Sequence, residues 1–307
     1  MSAAGTAGPV AGPVVGPPAG PALSPADVPP ALRAELLCES LPYIRRWAGT
    51  TVVVKFGGHA MADAGLAAKF AQDAVLLAQL GVRLVVVHGG GPQIGEMMTR
   101  LGKKPEFRDG LRVTDAETLD IAQMVLTGKV NSGIVRAINT HGSLAVGVGG
   151  ADARLITARE RDPELGFVGD VAGVDPSLLE RLLGEGLIPV VSTIGSDATG
   201  QAYNINADTA AGAIAVALRA EKLVYLTDVA GLYGDLDDAD SLVSRITAPE
   251  LADVLAAGGA AGGMIPKAGA CVHALANGVA SAHLLDGRVA HVVLLELFTD
   301  AGIGTMI

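Results

Sequence analysis

The segment TTVVVKFGGHAM, residues 50–61, decides the fold prediction because it joins an apolar run directly to a lysine and two glycines. The valines at 52–54 are typical of a buried strand, and Lys55 stands near the end of that strand. Burial of a charged group is unfavourable unless a partner compensates it. A lysine at this position therefore indicates a ligand-binding role, beside glycines whose backbone N–H groups no side chain covers.

Strand-like and helix-like segments alternate along the rest of the chain, which is the pattern of a parallel sheet covered by helices. Strands are predicted at 51–56, 83–88, 143–148, 188–193 and 223–227. Helices are predicted at about 64–79, 92–101, 115–140, 176–185 and 207–220. The predicted fold class is α/β, a three-layer αβα sandwich around a mainly parallel open sheet. In such sheets ligands bind at the carboxyl ends of the strands.

The composition disfavours several classes of protein. A formal net charge of −10 argues against nucleic acid as a partner, because duplex binding depends on Lys and Arg that neutralise phosphates. Aromatic residues make up only 3% of the chain, which argues against a surface for stacking bases. No apolar run reaches the roughly 18 residues that a membrane span needs. Two cysteines are too few for a disulfide framework, which is typical of a cytoplasmic protein. Together with the charge and the apolar runs, this predicts a cytoplasmic protein without nucleic-acid or membrane partners.

The N-terminal region differs from the rest of the chain. Residues 1–30 hold eight of the sixteen prolines and no Lys or Arg, so they are predicted to form a disordered Pro/Gly-rich tail. They lack the basic start and the continuous apolar run of a signal peptide. Leucines then recur at helical spacing across residues 31–48, which predicts a helix that Pro42 kinks or interrupts. This helix either packs on its own domain or reaches a neighbouring subunit.

A second glycine cluster follows the second predicted strand, in VVVHGGGPQI at 85–94. Three glycines before a helix leave N–H groups for an anion, although a tight strand-to-helix turn would also explain them. Neither standard nucleotide signature fits. GVGGAD at 147–152 lacks the last glycine of G-x-G-x-x-G, and no Gly-Lys pair is followed by Ser or Thr. Dehydrogenase and P-loop functions are therefore disfavoured.

Arg112 stands between Leu111 and Val113, which suggests that its guanidinium points into a site while its neighbours pack. A guanidinium fork can bind a carboxylate or a phosphate through two hydrogen bonds. A surface salt bridge to Asp109 or Asp115 is the alternative.

Two further segments carry polar residues at helix starts. Asn204, Asn206 and Asp208 alternate before an Ala-rich helix, and capping of that helix would explain only the last two. Lys267 lies in the first turns of the helix in GGMIPKAGACVHAL. A lysine is electrostatically unfavourable there unless an anion is held nearby.

Taken together, these segments resemble the N-acetylglutamate kinases of the amino acid kinase superfamily. The motifs that carry the resemblance are KFGGHAM, VVVHGGGPQI, FRDGLRVTD, GKVNSGIV, NINADTAAGA, LTDVAGLY, GGMIPK and LFTDAGIGTMI. They cover roughly residues 40–307. His59 stands where Asn is expected and Ala151 where Lys is common, and neither position is one to which the resemblance gives a catalytic role.

The resemblance implies transfer of the γ-phosphoryl group of ATP to the side-chain carboxylate of N-acetyl-L-glutamate, giving an acyl phosphate and ADP. This reaction is the second step of arginine biosynthesis. Since the nucleophile is already an anion, catalysis would consist of positioning and charge stabilisation. The resemblance assigns that stabilisation to Lys55 and Lys267, with Asp208 orienting both ammonium groups. It also implies Mg²⁺ carried by ATP, without a dedicated protein metal site.

The same resemblance implies further site residues and an amino acid kinase fold with two lobes. Substrate binding is assigned to Gly90, Gly91, Arg112 and Asn204. Phosphate and ATP binding is assigned to Gly57, Gly58, Asp228, Gly231 and Tyr233. Residues 49–220 would form an N-lobe for acetylglutamate binding and dimerisation, and residues 221–307 a C-lobe for ATP binding.

The predicted N-terminal helix resembles that of the hexameric, arginine-inhibited branch, in which such helices link three dimers into a ring. For this branch the resemblance implies L-arginine as an inhibitor and a homo-hexamer arranged as a trimer of dimers, with the role of a PII-type regulator left open. The effector residues implied are Tyr43, Lys222, His291, Glu296, Gly302 and Gly304. An ordinary charge at a strand edge is the alternative for Glu296.

Two other functions are weighed against this one. A related kinase of the glutamate 5-kinase or aspartate kinase type shares the early Lys-Gly-Gly motif. A non-catalytic arginine-sensing protein would not need Lys55, Asp208 and Lys267 together, so their presence disfavours that function.

Overall fold

The computed structural model describes residues 27–108, 110–235, 238–259, 262–300 and 302–307, apart from the side chains of His59 and Ala239. Of the tail predicted for residues 1–30, residues 1–26 lie outside the described residues. Asp109, one of the salt-bridge partners considered for Arg112, also lies outside them. Within the described ranges, no helix has the length and apolar character needed to cross a membrane.

Helices and strands alternate along most of the described chain. The helices are α1 (Pro30–Glu39), α2 (Leu41–Trp47), α3 (His59–Ala62), α4 (Ala64–Gln79), α5 (Gly91–Arg100), α6 (Ala116–Gln123), α7 (Ser132–Asn139), α8 (Ser177–Gly184), α9 (Ala207–Ala217), α10 (Ala248–Ala256), α11 (Met264–Ala276) and α12 (Val292–Phe298). The strands are β1 (Thr51–Phe56), β2 (Arg83–His88), β3 (Phe107–Arg108), β4 (Leu111–Arg112), β5 (Ala145–Gly149), β6 (Ile156–Glu160), β7 (Val168–Val174), β8 (Ile188–Ser192), β9 (Ile194–Ser196), β10 (Ala202–Ile205), β11 (Lys222–Thr227), β12 (Ser281–Asp286) and β13 (Thr305–Met306).

The central sheet has seven strands in the order β13-β12-β11-β1-β2-β8-β5. Neighbouring strands are parallel except β12 and β13, which run antiparallel. β1 lies between β11 and β2, and Val53 is level with Leu223 on one side and Val85 on the other. Parallel strands end at the same edge of a sheet, so the segments that follow β1, β2 and β11 meet there.

Helices cover both faces of this sheet. Val52 and Val54 pack on one face against α4 and α7. Val53 packs on the opposite face against α9 and α11. Because both faces are buried, the strands are apolar almost throughout, as is typical of parallel sheets. The predicted three-layer αβα sandwich is confirmed.

A small closed barrel of four strands, in the order β10-β7-β6-β9, was not predicted. β9 and β10 have only three and four residues, and glycines interrupt the pattern of β7. The last barrel strand, β10, ends at Ile205 and leads directly into α9. The barrel therefore sets the starting point of the helix that carries Asp208.

Several predicted boundaries differ from those in the structure, as at the helix predicted at 207–220, which ends at Ala217. The helix predicted at 115–140 consists of α6, a π-helical segment (Met124–Asn131) and α7. The strand predicted at 143–148 begins only at Ala145, because the Asn139 side chain accepts hydrogen bonds from the N–H groups of Leu144 and Ala145. The N-terminal helix is interrupted at Ser40, and Pro42 is the second residue of α2, where proline is tolerated.

Contacts divide the chain into two units, Met1–Pro42 and Tyr43–Ile307. Helix α1 belongs to the first unit, and within this fully described helix no residue is buried. Its Leu37 side chain is 72% exposed. The predicted boundary between lobes, at 220/221, falls between α9 and β11, and it remains a prediction.

Candidate active site

Asp208 holds the side chains of two lysines at one point. Its Oδ1 atom lies 3.0 Å from Lys55 Nζ, and its Oδ2 atom lies 3.0 Å from Lys267 Nζ. The Asp208 side chain is only 7% exposed, and the Lys55 side chain only 10%. Charges in such a dehydrated place interact more strongly than in water. The structure thus brings together the three residues that the sequence analysis assigned to catalysis.

Each member of this triad comes from a different element. Lys55 is the fifth residue of β1, Asp208 the second of α9 and Lys267 the fourth of α11. Asn206 caps α9, since its side-chain oxygen accepts the N–H groups of Asp208 and Thr209. Because Asn206 serves as the cap, the carboxylate of Asp208 is left for the two lysines.

The glycines at 57 and 58 leave space for two charged groups, the ammonium of Lys55 and the carboxylate of Asp228. A Cβ atom on Gly57 would lie 2.9 Å from Lys55 Nζ, and one on Gly58 would lie 2.4 Å from Asp228 Oδ1. Gly58 also has a φ of +65°, which glycine adopts far more readily than other residues. A side chain at either position would displace a charged group of the site.

A first cavity, of about 290 Å³, opens at the end of β11 beside Lys267. Three residues that were predicted to bind ATP line it, namely Asp228, Gly231 and Tyr233. Leu232 and Met264, which were not predicted, give it an apolar wall. Gly231 packs against the chain's last strand, where a Cβ atom would lie 2.4 Å from Thr305 Oγ1.

A second cavity, of about 190 Å³, lies at the end of β2. All four residues predicted to bind the acceptor line it, namely Gly90, Gly91, Arg112 and Asn204. Ala207, the sequence neighbour of Asp208, lines it as well. Lys267 lines the first cavity and the neighbour of Asp208 lines the second, so the triad lies between residues of the two cavities.

Arg112 faces the second cavity and does not pair with Asp115. Its Nη2 atom donates a hydrogen bond of 2.8 Å to the carbonyl of Gly91, and its guanidinium carbon lies 4.7 Å from the centre of the Phe107 ring. The Asp115 carboxylate instead accepts hydrogen bonds from Lys103 and from the N–H of Thr118. Through the second of these bonds Asp115 caps α6. Burial lowers the pKa of Arg112, so an anionic ligand would stabilise its charged form.

A second group of charged side chains surrounds Glu296. Lys222 Nζ and His283 Nε2 each lie 2.8 Å from Glu296 Oε1. Lys222 Nζ also lies 5.0 Å from the centre of the Trp47 ring, and the indole N–H of Trp47 donates to the carbonyl of Leu297. Lys222, His283 and Glu296 are called the Glu296 cluster below.

His291, one of the predicted effector residues, contacts Asp73, and its effector role remains a prediction. His291 Nδ1 lies 2.5 Å from Asp73 Oδ1, whereas His283, which was not predicted, contacts Glu296. In the sequence, His283 is marked only by its place inside the apolar run SAHLLD of β12, and that pattern does not show what the histidine contacts. The Tyr43 ring lies 6.4 Å from that of Phe298, near the end of α12.

The two remaining effector glycines lie in the turn before β13. Gly302 and Gly304 have positive φ values of 44° and 79°. A Cβ atom on Gly304 would lie only 2.1 Å from the carbonyl oxygen of Leu284, so no other residue fits there without a shift of the backbone.

Burial and charge act against each other in the Glu296 cluster. Burial alone would raise the pKa of Glu296, but the hydrogen bonds from His283 and Lys222 and the charge of Lys222 outweigh it and hold that pKa below its usual value. Burial lowers the pKa of His283 and of Lys222 in spite of the carboxylate. The His283 ring is therefore neutral at pH 7, and its Nε2–H donates to Glu296.

Comparison with known proteins identifies the relatives of this chain. Residues 50–286 match the amino acid kinase family. Over 278 residues the chain is 52% identical to an acetylglutamate kinase of Nostoc punctiforme. The aligned region covers 90% of this chain and 93% of that protein.

Two solved structures of N-acetylglutamate synthase from Neisseria gonorrhoeae share the fold. The complex with coenzyme A and N-acetyl-glutamate is 33% identical, with a TM-score of 0.78, and the match covers 89% of this chain and 63% of that one. The complex with coenzyme A and L-arginine is 30% identical, with a TM-score of 0.75 and coverages of 89% and 65%. This chain thus spans less than two thirds of the synthase.

We predict that Glu296→Gln lowers the free energy of unfolding by about 3–5 kcal/mol, because it leaves the buried ammonium of Lys222 without a charged partner. Chemical denaturation measures this change. Glu117→Gln is the matched control: Glu117 pairs with Lys103, but its side chain is 68% exposed, and the change should be about 1 kcal/mol or less. Adding Lys222→Met to Glu296→Gln should restore part of the loss, and equal effects of the two single variants would contradict the prediction.

Proposed function

Because the chain belongs to the amino acid kinase family and groups with its acetylglutamate kinases, we propose that it transfers the γ-phosphoryl group of ATP to the side-chain carboxylate of N-acetyl-L-glutamate. The products are N-acetyl-L-glutamyl 5-phosphate and ADP. The observation that carries the assignment to this site is the pair of lysines on one carboxylate between two cavities. The first cavity accommodates the nucleotide and the second the acceptor.

Charge stabilisation is the main task of the site, because an anionic nucleophile must approach a polyanion. The ammonium groups of Lys55 and Lys267 compensate the charge of the transferring phosphoryl group. A single contact between unit charges at 4 Å contributes about 4 kcal/mol at an effective dielectric constant near 20. These contacts accelerate the reaction to the extent that they are stronger in the transition state than in the ground state.

Asp208 positions the two lysines and takes no proton from the substrate. A lysine side chain is flexible, and an ion pair to a fixed carboxylate limits the positions of its ammonium group. Asp208 itself is fixed because α9 begins at the cap residue Asn206 and because Tyr225 donates a hydrogen bond of 2.8 Å to the Asp208 carbonyl. No general base is needed, since the acceptor carboxylate is ionised at neutral pH.

The acceptor fits the second cavity through its two ends. The guanidinium of Arg112 can bind the α-carboxylate, and Asn204 can bind the acetamido group. The N–H groups of Gly90 and Gly91 then lie at the start of α5, where the helix dipole favours negative charge. This places the side-chain carboxylate toward the triad.

The nucleotide fits the first cavity, with its phosphates toward Lys267. Mg²⁺ would be bound mainly by those phosphates, and when bound it neutralises part of their charge. Asp228 is the one carboxylate among the described residues that line this cavity. Across the described ranges, no group of three or more His, Cys, Asp or Glu side chains could hold a metal ion. One carboxylate beside the phosphates of ATP is compatible with an Mg²⁺ ion that binds together with the nucleotide.

The alternatives make different demands on the site. A non-catalytic arginine sensor would not need the two lysines on Asp208. A kinase for free glutamate or aspartate would have to bind the charged α-ammonium group of its substrate at the position where N-acetylglutamate has a neutral acetamide. Acyl-hydroxamate formation with ATP and each of these three amino acids separates the possibilities.

Alanine substitution of either triad lysine should abolish most turnover while the fold survives. We expect Lys55→Ala and Lys267→Ala each to lower kcat by about 10²–10³-fold, the typical effect of removing one electrostatic contact of the transition state. The acyl-hydroxamate assay measures this loss. Lys69→Ala, which removes an exposed lysine of α4, is the control and should retain full activity. Near-normal turnover in either variant would remove that lysine from the mechanism.

Arg112→Lys should raise the KM for N-acetylglutamate by about 10- to 100-fold, because a point charge cannot replace a bidentate fork. The KM for ATP should change little. Arg108→Lys is the matched control, since Arg108 belongs to the same hairpin but pairs with Glu164. A change confined to the KM for ATP would place Arg112 in the nucleotide site and contradict the assignment.

We also propose that L-arginine inhibits this protein at the Glu296 cluster and that the protein is a cytoplasmic hexamer. Both contacts to Glu296 within the described part of the chain use Oε1, so Oε2 can accept a guanidinium. The related synthase, solved with L-arginine, supports the choice of ligand. The exposed leucines of α1, such as Leu37, support association of subunits through this helix.

Removal of residues 1–40, which ends before α2 and keeps the buried Trp47, should convert the hexamer into an active dimer that arginine does not inhibit. Light scattering after size-exclusion chromatography measures the mass, and the same samples are assayed with and without arginine. A truncated protein that remains hexameric would contradict the role of α1. Full-length protein that is indifferent to millimolar arginine would contradict the effector site.

A further inference from the structure

The π-helical segment Met124–Asn131 packs directly against the loop Gly89–Gly91, called the glycine loop below. A Cβ atom on Gly90 would lie 2.5 Å from Leu126 Cδ2 and 3.3 Å from Val130 Cγ2. The loop can approach the segment this closely only because position 90 has no side chain. Two side chains of the π segment therefore form the support on which the loop lies.

The next residue of the segment, Asn131, continues this support by hydrogen bonds. Its side chain is buried, and its Nδ2 atom donates to the carbonyl of Val190 at 2.8 Å and to the Nε2 atom of His88 at 3.0 Å. Room for the amide comes from Gly147 of β5, where a Cβ atom would lie 2.1 Å from Asn131 Oδ1. Asn131 is thus held by two neighbouring strands and in turn holds His88.

His88 transmits this contact to the glycine loop. Since its Nε2 atom accepts from Asn131, the proton of the neutral ring is on Nδ1, which donates to the carbonyl of Gly89 at 2.9 Å. His88 is fully buried, and burial lowers its pKa to about 4. The ring therefore remains neutral at assay pH, and the tautomer that holds Gly89 remains in place.

All three carbonyls of the glycine loop accept hydrogen bonds from the protein. The carbonyl of Gly89 accepts from His88, that of Gly90 from the N–H of Ile94, and that of Gly91 from Arg112. In a trans peptide the C=O and the following N–H point in opposite directions. A Gly89 carbonyl fixed on the buried His88 ring therefore directs the N–H of Gly90 away from that ring.

The π-helical geometry explains how one segment makes both kinds of contact. Hydrogen bonds in a π-helix join residues five apart, so Leu126 and Asn131 lie on the same face. In an α-helix, residues five apart diverge around the axis, whereas residues four apart align. The π-helical turn therefore brings Leu126 and Asn131 closer to one face than an α-helical turn would.

We propose that His88 and Asn131 are positioning residues, which fix the Gly89–Gly90 peptide so that the N–H of Gly90 faces the acceptor carboxylate. This proposal rests on the proposed function of the second cavity. Neither side chain touches the substrate. Each acts through the backbone of the glycine loop, and the effect should appear in acceptor binding and not in nucleotide binding.

The experiment compares paired variants of the full-length protein. His88→Leu and Asn131→Ala should raise the KM for N-acetylglutamate by about two- to tenfold, the range for one hydrogen bond, with an unchanged KM for ATP. His88→Asn keeps a donor near the position of Nδ1 and should recover most of the loss of His88→Leu. Asn139→Ala is the matched control: Asn139 also bonds to the backbone, but at Leu144 and Ala145.

Hydrogen exchange of the apo protein gives a second readout that does not depend on activity. The peptide containing Gly90 and Gly91 should exchange faster in His88→Leu and Asn131→Ala than in wild type or Asn139→Ala. Equal exchange in all variants, equal KM values for His88→Asn and His88→Leu, or a parallel rise of both KM values would overturn the proposal. Absence of acyl phosphate in the wild type would instead contradict the proposed function, and the exchange data would still decide the positioning role.

Discussion

The structure depends on one carboxylate that keeps two positive charges together. The ammonium groups of Lys55 and Lys267 repel each other, and Asp208 between them offsets that repulsion with an oxygen for each. The three residues come from β1, α9 and α11, so they meet only when these two helices pack against the strand. Assembly of the site therefore depends on tertiary packing and not on any single element.

The central sheet could be predicted because its strands are buried on both faces and appear in the sequence as continuous apolar runs, such as 51–56 and 83–88. The small barrel could not. Its strands are short, β7 contains glycines, and pairing of β10 with β7 joins residues about 36 positions apart, as in Asn204 with Val168. Local periodicity carries no information on such non-local pairing.

Lys55, Lys267 and Arg112 could be proposed from sequence because each places a charge where local chemistry disfavours it. The first turn of a helix suits a carboxylate, so the prediction for Asp208 rests on the motif that contains it. His88, Asn131 and His283 could not be proposed, because their partners are a backbone carbonyl, a strand or a distant carboxylate. A buried histidine in an apolar run has the same local pattern whether it packs, positions a loop or pairs with a glutamate. Only the three-dimensional contacts separate these roles.

The alternation of side chains along β1 has a consequence for how this chain can change over generations. Lys55 shares its face of the sheet with Val53, so an insertion or deletion of one residue within β1 would turn the lysine toward α4 and away from Asp208. Exchanges among apolar residues at 52–54 leave the lysine in place, and so do changes of length in a surface turn such as 197–201. We expect related sequences to conserve the length of this strand more strictly than its composition.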